Sequence, residues 1–275
     1  MLNYKYERII FFKKLNLELE HLKMGDINDF FSSRNTINSI SNEDRNKTAD
    51  YLEPIKAFAK TTYKSIYLID YHEKGFEYVS ENPLFLCGHT SEEVKEMGYL
   101  FYFKYVVEKD LDLLLRINTI GFDFYEKIPL EERKLYTISY DYHLNNQEGK
   151  TILINQTLTP LFLTNDGKIW KALCVISLSN EQNSGNVKIY KDGENKIYSY
   201  NLKGDFWKTK EKIKLTDREK EILIHSISGS TINEIAEKIF MSPETVKFHR
   251  KKILNKLEVS NISEAIFFAI NNKLF

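Results

Sequence analysis

Apolar residues recur at helical spacing through residues 215–275, and cap residues divide this stretch into four predicted helices. Capping boxes begin at Thr216 and Thr231, each followed three residues later by a glutamate. Ser242 precedes a proline, which suits the first position of a third helix, and Asn261 begins a weaker box. Only two residues separate the second predicted helix from the third, so the pattern predicts a helix-turn-helix.

The third predicted helix, residues 243–257, has an apolar side and a cationic side. With about 100° between successive residues, the apolar side carries Val246, His249, Ile253 and Leu257. The other side carries Lys247, Phe248, Lys251, Lys252 and Asn255, and Arg250 and Lys256 bring the helix to five cations against one acid. Lysine and arginine reach phosphates and guanine edges in the major groove of DNA. An ordinary solvated helix face is the alternative, which the tight turn and the repeated caps disfavour.

Residues 62–180 change to a mixed pattern, in which alternating apolar and polar runs predict strands and shorter runs predict helices. Turn-forming residues separate the later strands. The predicted strands are 64–70, 75–79, 122–128, 135–144, 151–163 and 171–178, and the predicted short helices are 82–86, 91–96 and 109–118.

Two further stretches flank this mixed region. Residues 1–60 are predicted to be a mainly helical segment, which either covers the next domain or mediates dimerisation. Residues 181–212 alternate polar with apolar residues around a turn at 192–195, which favours a β-hairpin over a flexible tether. Phe206 and Trp207 give this linker a bulky apolar anchor.

Composition fits a two-domain chain. The 275 residues exceed one typical domain, and 39 cations balance 39 acids, so the positive charge is local to the predicted third helix. Two cysteines are too few for a disulfide framework and indicate a reducing cytoplasm. No apolar run is long enough to span a membrane, and the start does not read as a secretion signal, so we expect a cytoplasmic protein with no membrane partner.

The last predicted domain resembles the DNA-binding domain of LuxR/FixJ/NarL-type transcriptional regulators. Residues 215–223 follow that family's opening LTxRExEVL pattern, and Thr245-Val246-Lys247 and His249 follow at its spacing. The resemblance implies a four-helix domain that binds double-stranded DNA as a homodimer, with the third helix in the major groove. It places base contacts at Lys247, Phe248 and Lys251, and backbone contacts at Thr231, Asn233, Thr245, Arg250 and Lys252. It also implies a dimer seam at Ala265, Ile266, Phe268 and Ala269, for which packing onto the first helix of the domain is the alternative.

The segment departs from the family pattern at several cationic positions. Asn233 and Ile262 stand where the family often has lysine and arginine, whereas Lys252 replaces a frequent asparagine. Each phosphate contact contributes about 0.9 to the slope of log affinity against log salt. We therefore expect DNA binding with a slope no steeper than about −8.

Residues 61–180 resemble a PAS sensor domain. Asn82-Pro-Leu-Phe85, the stretch from Gly88 to Val94, and Val107-Glu-Lys-Asp110 follow that family's degenerate motifs. The resemblance implies an antiparallel five-stranded sheet with short helices around a pocket. The predicted fold class is therefore α+β, with a PAS-like domain at 61–180, a linker at 181–212 and a separate all-α helix-turn-helix domain at 213–275.

Candidate enzyme and cofactor sites are few. The sequence has no phosphate-binding glycine loop, nucleophile elbow or metal motif, so we expect no enzyme. Cys87 lacks the surroundings of a flavin-linked cysteine, and the six histidines lack metal-ligand spacing. We assign no cofactor and leave a small-molecule ligand of the PAS-like domain open. The expected function is a sequence-specific transcriptional regulator whose PAS-like domain senses a signal or mediates dimerisation; the alternative is a ligand-free protein-interaction module.

Overall fold

The computed structural model describes residues 30–31, 33–41, 45, 50–272 and 274–275. Most of the predicted helical segment at 1–60 lies outside these residues. At its end, helix α1 is observed at Leu52–Thr61. The chain divides into two compact units: the first runs up to residue 194 and includes 198–208, and the second comprises 195–197 and 209–275.

The first unit is a twisted sheet with helices inserted between its second and third strands. Strands β1 (Ser65–Asp70) and β2 (Gly75–Val79) come first. They are followed by helices α2 (Pro83–Leu86), α3 (Ser91–Met97), α4 (Leu100–Tyr105) and α5 (Glu108–Tyr125) and a short 3-10 helix at Leu130–Leu135. The remaining strands are β3 (Tyr136–Asn145), β4 (Thr151–Leu163), β5 (Ile169–Leu178), β6 (Gly185–Lys191), β7 (Lys196–Asn201) and β8 (Phe206–Glu211).

The sheet has eight strands, so the predicted fold class holds but the predicted count of five is wrong. The strand order is β2-β1-β5-β4-β3-β6-β7-β8. Five strands alone would leave β3 with an unpaired edge of backbone N–H and C=O groups. Strand β6 pairs with that edge in antiparallel register, with Ile138 opposite Ile189, and the predicted linker hairpin thereby becomes part of the sheet.

The predicted strand at 122–128 is also wrong, because α5 continues through Tyr125. Phe122 and Phe124 alternate with polar neighbours, which matches a strand over this short window. Over the longer window, the buried residues Asp110, Leu114, Ile117 and Ile120 recur every three or four positions, which is the helical period, and the same helix continues through Tyr125. Helix α4 was not predicted, because its run of aromatic residues has no polar face to reveal a period.

Aromatic side chains fill the core between the sheet and the helices. Tyr67 stacks on Phe85 with 4.5 Å between ring centroids, and Phe101 lies 4.5 Å from Phe85. All three are fully buried. Such rings bury large apolar areas, and they fix the positions of α2 and α4 on β1.

The second unit contains four helices in its described part: α6 (Asp217–Ile227), α7 (Ile232–Lys238), α8 (Pro243–Leu257) and α9 (Ile262–Asn271). The capping boxes predicted at Thr216 and Thr231 both form, with each threonine side chain accepting from the amide three residues later. The core is aliphatic, and its residues with no measurable exposure include Ile222, Leu223, Ile235, Val246 and Ile253.

Other features of the chain bear on function. Within the described residues, no helix is long and apolar enough to cross a membrane, and no group of three or more His, Cys, Asp or Glu side chains is arranged to hold a metal ion. Cys87 and Cys174 are both buried thiols, and burial raises the pKa of each to about 12. Both therefore stay protonated and behave as small apolar side chains.

Candidate nucleic-acid interface

The turn between α7 and α8 is tight and well defined. The amide of Met241 donates to the carbonyl of Ala236 at 2.9 Å, and Phe240 adopts a left-handed backbone with φ of 55°. A bulky residue in that region costs roughly 1–3 kcal/mol, which the surrounding helices must offset. Ser242 then caps α8 by accepting from the Thr245 amide at 3.1 Å, so the chain reverses direction within a few residues.

One side of α8 is held by the core of the second unit. Val246, Ile253 and Leu257 are buried, as the sequence pattern predicted. His249, predicted on the same side, is only half-buried, and its Nδ1 has no hydrogen-bond partner within the described part of the chain. Three buried anchors spaced along the helix fix the rotation of α8, and they also fix the direction of its other side.

The side of α8 that faces away from the core is cationic and open. Lys247, Phe248 and Lys251 are all exposed, with Phe248 at 65%. The ammonium groups of Lys247 and Lys251 form no ion pair with any residue that the structure describes. They lie four residues apart, on neighbouring turns of one helix face. Two unneutralised charges with an aromatic ring between them therefore stand on one exposed surface.

The five residues predicted to contact the DNA backbone occupy different positions. Thr231 and Asn233 lie at the start of α7, and the hydroxyl of Thr231 is already bonded to Glu234 in the capping box. Thr245 lies in the first turn of α8, where its Oγ1 is 2.9 Å from Ser242 Oγ. Arg250 is half-buried and Lys252 is exposed. Asn233, Arg250 and Lys252 therefore keep their side chains available, whereas the two threonines also stabilise helix starts.

Lys256, counted among the cations of the third helix, is half-buried and is hydrogen-bonded within the domain instead of standing on the exposed face. Its Nζ donates to Glu219 Oε2 at 2.6 Å and to the carbonyl of Lys214 at 2.9 Å. Glu219 has no measurable exposure, and its Oε2 also accepts from the Thr216 amide at 2.9 Å. Burial alone would raise the pKa of Glu219, but the hydrogen bond from Lys256 and the one from the Thr216 amide outweigh it and lower that pKa.

This ion pair is a structural feature that sequence reasoning missed. The capping box accounted for Glu219, and Lys256 was only counted among the five cations of the third helix. Their separation of 37 residues gave no local signal. The pair joins α6 to α8, so it helps to set the position of the helix that carries the cationic face.

The predicted dimer seam on α9 needs correction at two positions. Ala265 and Ala269 have no measurable exposure and lie in the core of the second unit, as the packing alternative expected. Ile266 and Phe268 are half-buried against that core. A side chain with no exposed surface cannot touch a second chain, so the two alanines are core residues. The exposed large apolar side chains of α9 are Phe267 (39%) and Ile270 (47%), which the sequence reasoning did not name.

Comparisons with known proteins find matches to the region that contains the helix-turn-helix. Residues 214–269 match the family described as bacterial regulatory proteins of the luxR family. The transcriptional regulatory protein LiaR of Bacillus subtilis is 45% identical over 60 residues, which make up 22% of this chain and 28% of that protein. The first curated relatives are matched over only 28% of their own length, so the likeness concerns one domain.

Solved structures give a weaker likeness over more of the chain. The Vibrio cholerae VqmA dimer, described as a LuxR-type receptor, aligns with TM-score 0.31 and 17% identity over 81% of this chain and 88% of that chain. A PAS domain from Colwellia psychrerythraea aligns with TM-score 0.35 and 12% identity over 47% of this chain and 98% of that chain. Both TM-scores are below 0.5. The sequence match is the stronger finding, and it identifies residues 214–269 as a helix-turn-helix domain of the LuxR family.

Proposed function

We propose that this chain is a sequence-specific DNA-binding transcriptional regulator, in which α8 lies in the major groove. The observation that carries the proposal is the exposed face of α8, where Lys247 and Lys251 stand without ion-pair partners in the described structure while the opposite side is anchored. Ammonium groups presented on one helix face can reach phosphates and guanine edges in the groove.

Each candidate base contact has its own chemistry. Lys247 and Lys251 donate hydrogen bonds, for which guanine O6 and N7 are the natural acceptors in the major groove. Phe248 offers an exposed ring between them, and an apolar ring can contact the C5-methyl group of thymine. The proposed site therefore favours half-sites that contain both guanine and thymine.

The proposed assembly is a homodimer on double-stranded DNA. Two copies would place their α8 helices at half-sites about 10 base pairs apart. Phe267 and Ile270 are the exposed apolar residues of α9, and Ile224 and Ile227 at the end of α6 are exposed as well. We propose that the seam uses these exposed side chains, together with Ile266 and Phe268, in place of the buried alanines.

The first unit has two proposed roles, which remain alternatives. It either senses a signal or mediates dimerisation as a PAS-like domain, or it acts as a ligand-free protein-interaction module. The predicted boundaries at 1–60, 61–180, 181–212 and 213–275 remain part of this proposal. Native mass spectrometry of the purified protein separates the two roles, because a co-purifying small molecule supports sensing.

Selection of bound duplexes from a random pool tests the proposed function. We expect enrichment of paired half-sites, and we expect Lys247→Ala or Lys251→Ala to weaken binding to the enriched site more than to unrelated DNA. A pool that shows no enrichment would contradict sequence-specific binding. Titration with salt then tests the number of phosphate contacts, and a log–log slope steeper than about −8 would contradict our estimate.

A further inference from the structure

Lysines are concentrated in the segment that joins the end of β8 to the first helix of the second unit. Residues 208–214 contain four lysines and one glutamate, whereas the whole chain has a formal net charge of zero. Residues 209–214 belong to the second unit. The ammonium groups of Lys210, Lys212 and Lys214 form no ion pair with any residue that the structure describes. These three residues are called the lysine strip below.

The lysine strip alternates with residues that point toward the core of the second unit. Leu215 is part of that core, and Ile213 packs against it. The Lys212 amide donates to the Asn195 carbonyl at 3.0 Å, which continues the pairing of β8 by one residue. Successive side chains of an extended chain point to opposite sides, so the strip occupies the side away from the core. Its first and last lysines are exposed, and the middle one is half-buried.

The end of the lysine strip is fixed to α8. The Lys214 carbonyl accepts a hydrogen bond of 2.9 Å from Lys256 Nζ. Lys252 lies four residues before Lys256, which is about 40° away around the helix axis, and its side chain is exposed. The strip therefore ends on the flank of α8 that carries Lys252, beside the exposed face and not behind the core.

This position fits the sugar-phosphate backbone next to a major groove. The groove is about 12 Å wide and a helix with its side chains is about 10–12 Å across, so the flank of a groove-bound helix faces phosphates. Residues four apart in an extended chain are separated by about 13 Å, and phosphates follow each other every 3.4 Å of axis along one strand. Lys210 and Lys214 can thus reach phosphates several nucleotides apart. An acidic protein surface would also attract lysines, but the hydrogen bond to α8 holds the strip next to the helix proposed to bind DNA.

We propose that Lys210 and Lys214 contact phosphates of the double-stranded DNA that flanks the half-site of α8. The inference rests on the DNA-binding function proposed above and gives each bound copy a second contact element. Phosphate contacts position a protein without reading sequence. The lysine strip therefore raises affinity for every duplex alike, whereas α8 discriminates between duplexes.

Salt titration of the full-length protein tests these contacts. The duplex carries the selected site with one helical turn, about 10 base pairs, of flanking DNA on each side. Lys210→Ala with Lys214→Ala should make the slope of log affinity against log salt shallower by about 1.8 for each bound copy, because each phosphate contact contributes about 0.9. The affinity gap between the two proteins should narrow about 10-fold per bound copy between 50 and 200 mM salt. An unchanged slope would overturn the proposal.

Two further variants separate position from total charge. Lys210→Arg with Lys214→Arg keeps both charges and should retain the wild-type slope. Lys127→Ala with Lys150→Ala removes two exposed lysines of the first unit that form no ion pair within the described part of the chain, and it should leave the slope unchanged. If this control makes the slope as shallow as the strip variant does, only total charge matters and the proposal is wrong.

Hydroxyl-radical footprinting locates the contacts along the backbone. The wild-type protein should protect sugars outside the half-site as well as within it. Lys210→Ala with Lys214→Ala should lose the outer protection and keep the inner protection at protein concentrations that saturate the DNA. Identical footprints for the two proteins would overturn the assignment of these lysines to the flanking backbone.

The results also separate this inference from the proposed function. If the full-length protein binds no duplex at all, both proposals are wrong. If it binds the selected duplex and the strip variant keeps the wild-type slope and footprint, only the lysine strip is wrong. With Lys247→Ala and Lys251→Ala already in place, replacement of the strip should still weaken the residual binding, equally on selected and unrelated DNA.

Discussion

The two units differ in where they place polar groups. The second unit has an aliphatic core of residues such as Ile222 and Val246, and Lys247 and Lys251, which have no ion-pair partner among the described residues, stand outside on α8. The first unit buries tyrosines and a glutamine, and Tyr142 and Gln156 are almost fully inaccessible. An exposed surface of cations suits a large polyanion, whereas buried uncharged groups that hydrogen-bond to one another add polarity to a core without burying a charge.

The largest effect that this comparison predicts is loss of DNA binding without loss of stability. Lys247→Ala with Lys251→Ala should weaken binding to the selected duplex about 100-fold or more, because each base contact contributes about 1–3 kcal/mol. Unfolding temperature should stay unchanged, since both side chains are exposed. Lys220→Ala removes one charge from α6 and is the control in fluorescence-anisotropy titrations. Equal weakening by the control would show that only total charge matters.

Glu219 and Lys256 depart from this arrangement, in which the charges of the second unit lie on its surface. Glu219 is fully buried and Lys256 is half-buried. Lys256→Met should destabilise the second unit by about 2 kcal/mol, less than the roughly 3–5 kcal/mol of a fully buried pair, because Lys256 keeps some solvent contact. Lys252→Met, at an exposed lysine of the same helix, should have little effect. Hydrogen exchange of residues 213–275 in the full-length protein measures the change in the stability of the second unit for both variants.

The same pair predicts a dependence of stability on pH. The pKa of Glu219 is lower in the folded protein than its ordinary value, so the folded state holds the proton less tightly than the unfolded state. This contribution is present above the ordinary glutamate pKa and is lost as pH falls through the lowered value. Hydrogen-exchange protection of α6 and α8 should therefore decline as the pH falls from the ordinary glutamate pKa through the lowered one, and protection in the Lys256→Met variant should decline less. An equal decline in both proteins would assign the effect to other carboxylates.

A smaller effect is expected from the polar interior of the first unit. Gln156→Leu removes the acceptor of the buried Tyr142 hydroxyl and should cost about 1–2 kcal/mol. Hydrogen exchange in β3 and β4 should rise, while DNA binding by the second unit should change little. Thr157→Val, which removes a half-buried hydroxyl next to it, is the comparison variant. Loss of exchange protection in both units would show that they do not unfold independently.

The smallest expected effect concerns Phe248 and thymine methyl groups. Replacing thymine by uracil in the selected half-site removes only the methyl, and it should weaken binding a few-fold if Phe248 contacts it. Phe248→Ala should bind the two duplexes equally. If the uracil penalty persists in that variant, another residue contacts the methyl group.

Sequence reasoning predicted the second unit better than the first, for physical reasons. Caps at Thr216 and Thr231 are local signals, and α8 repeats its pattern over four turns. In the first unit, the end of α5 matched a strand over a short window, and β6 joined the sheet through pairing with a strand that ends forty residues earlier. Long-range pairing leaves no local period, and the Glu219–Lys256 pair could not be predicted for that reason.

The candidate site likewise combines features that a local sequence pattern predicts with features that only long-range packing decides. The exposure of Lys247, Phe248 and Lys251 followed from helical periodicity, because one face of α8 had to be buried. Burial of Ala265 and Ala269 could not be separated from a dimer seam, since both require an apolar helix face. Only the packed structure distinguishes the side chains that a domain uses for its own core from those it leaves for a partner.

Methylation protection on a selected duplex tests the position of α8 most directly. Dimethyl sulfate modifies guanine N7 in the major groove and adenine N3 in the minor groove, so it reports which groove is occupied. We predict protected guanines in two clusters about 10 base pairs apart, and their loss with Lys247→Ala and Lys251→Ala at protein concentrations that still saturate the DNA. Protection confined to adenine N3, or guanine protection that persists in the double variant, would contradict a groove-bound α8.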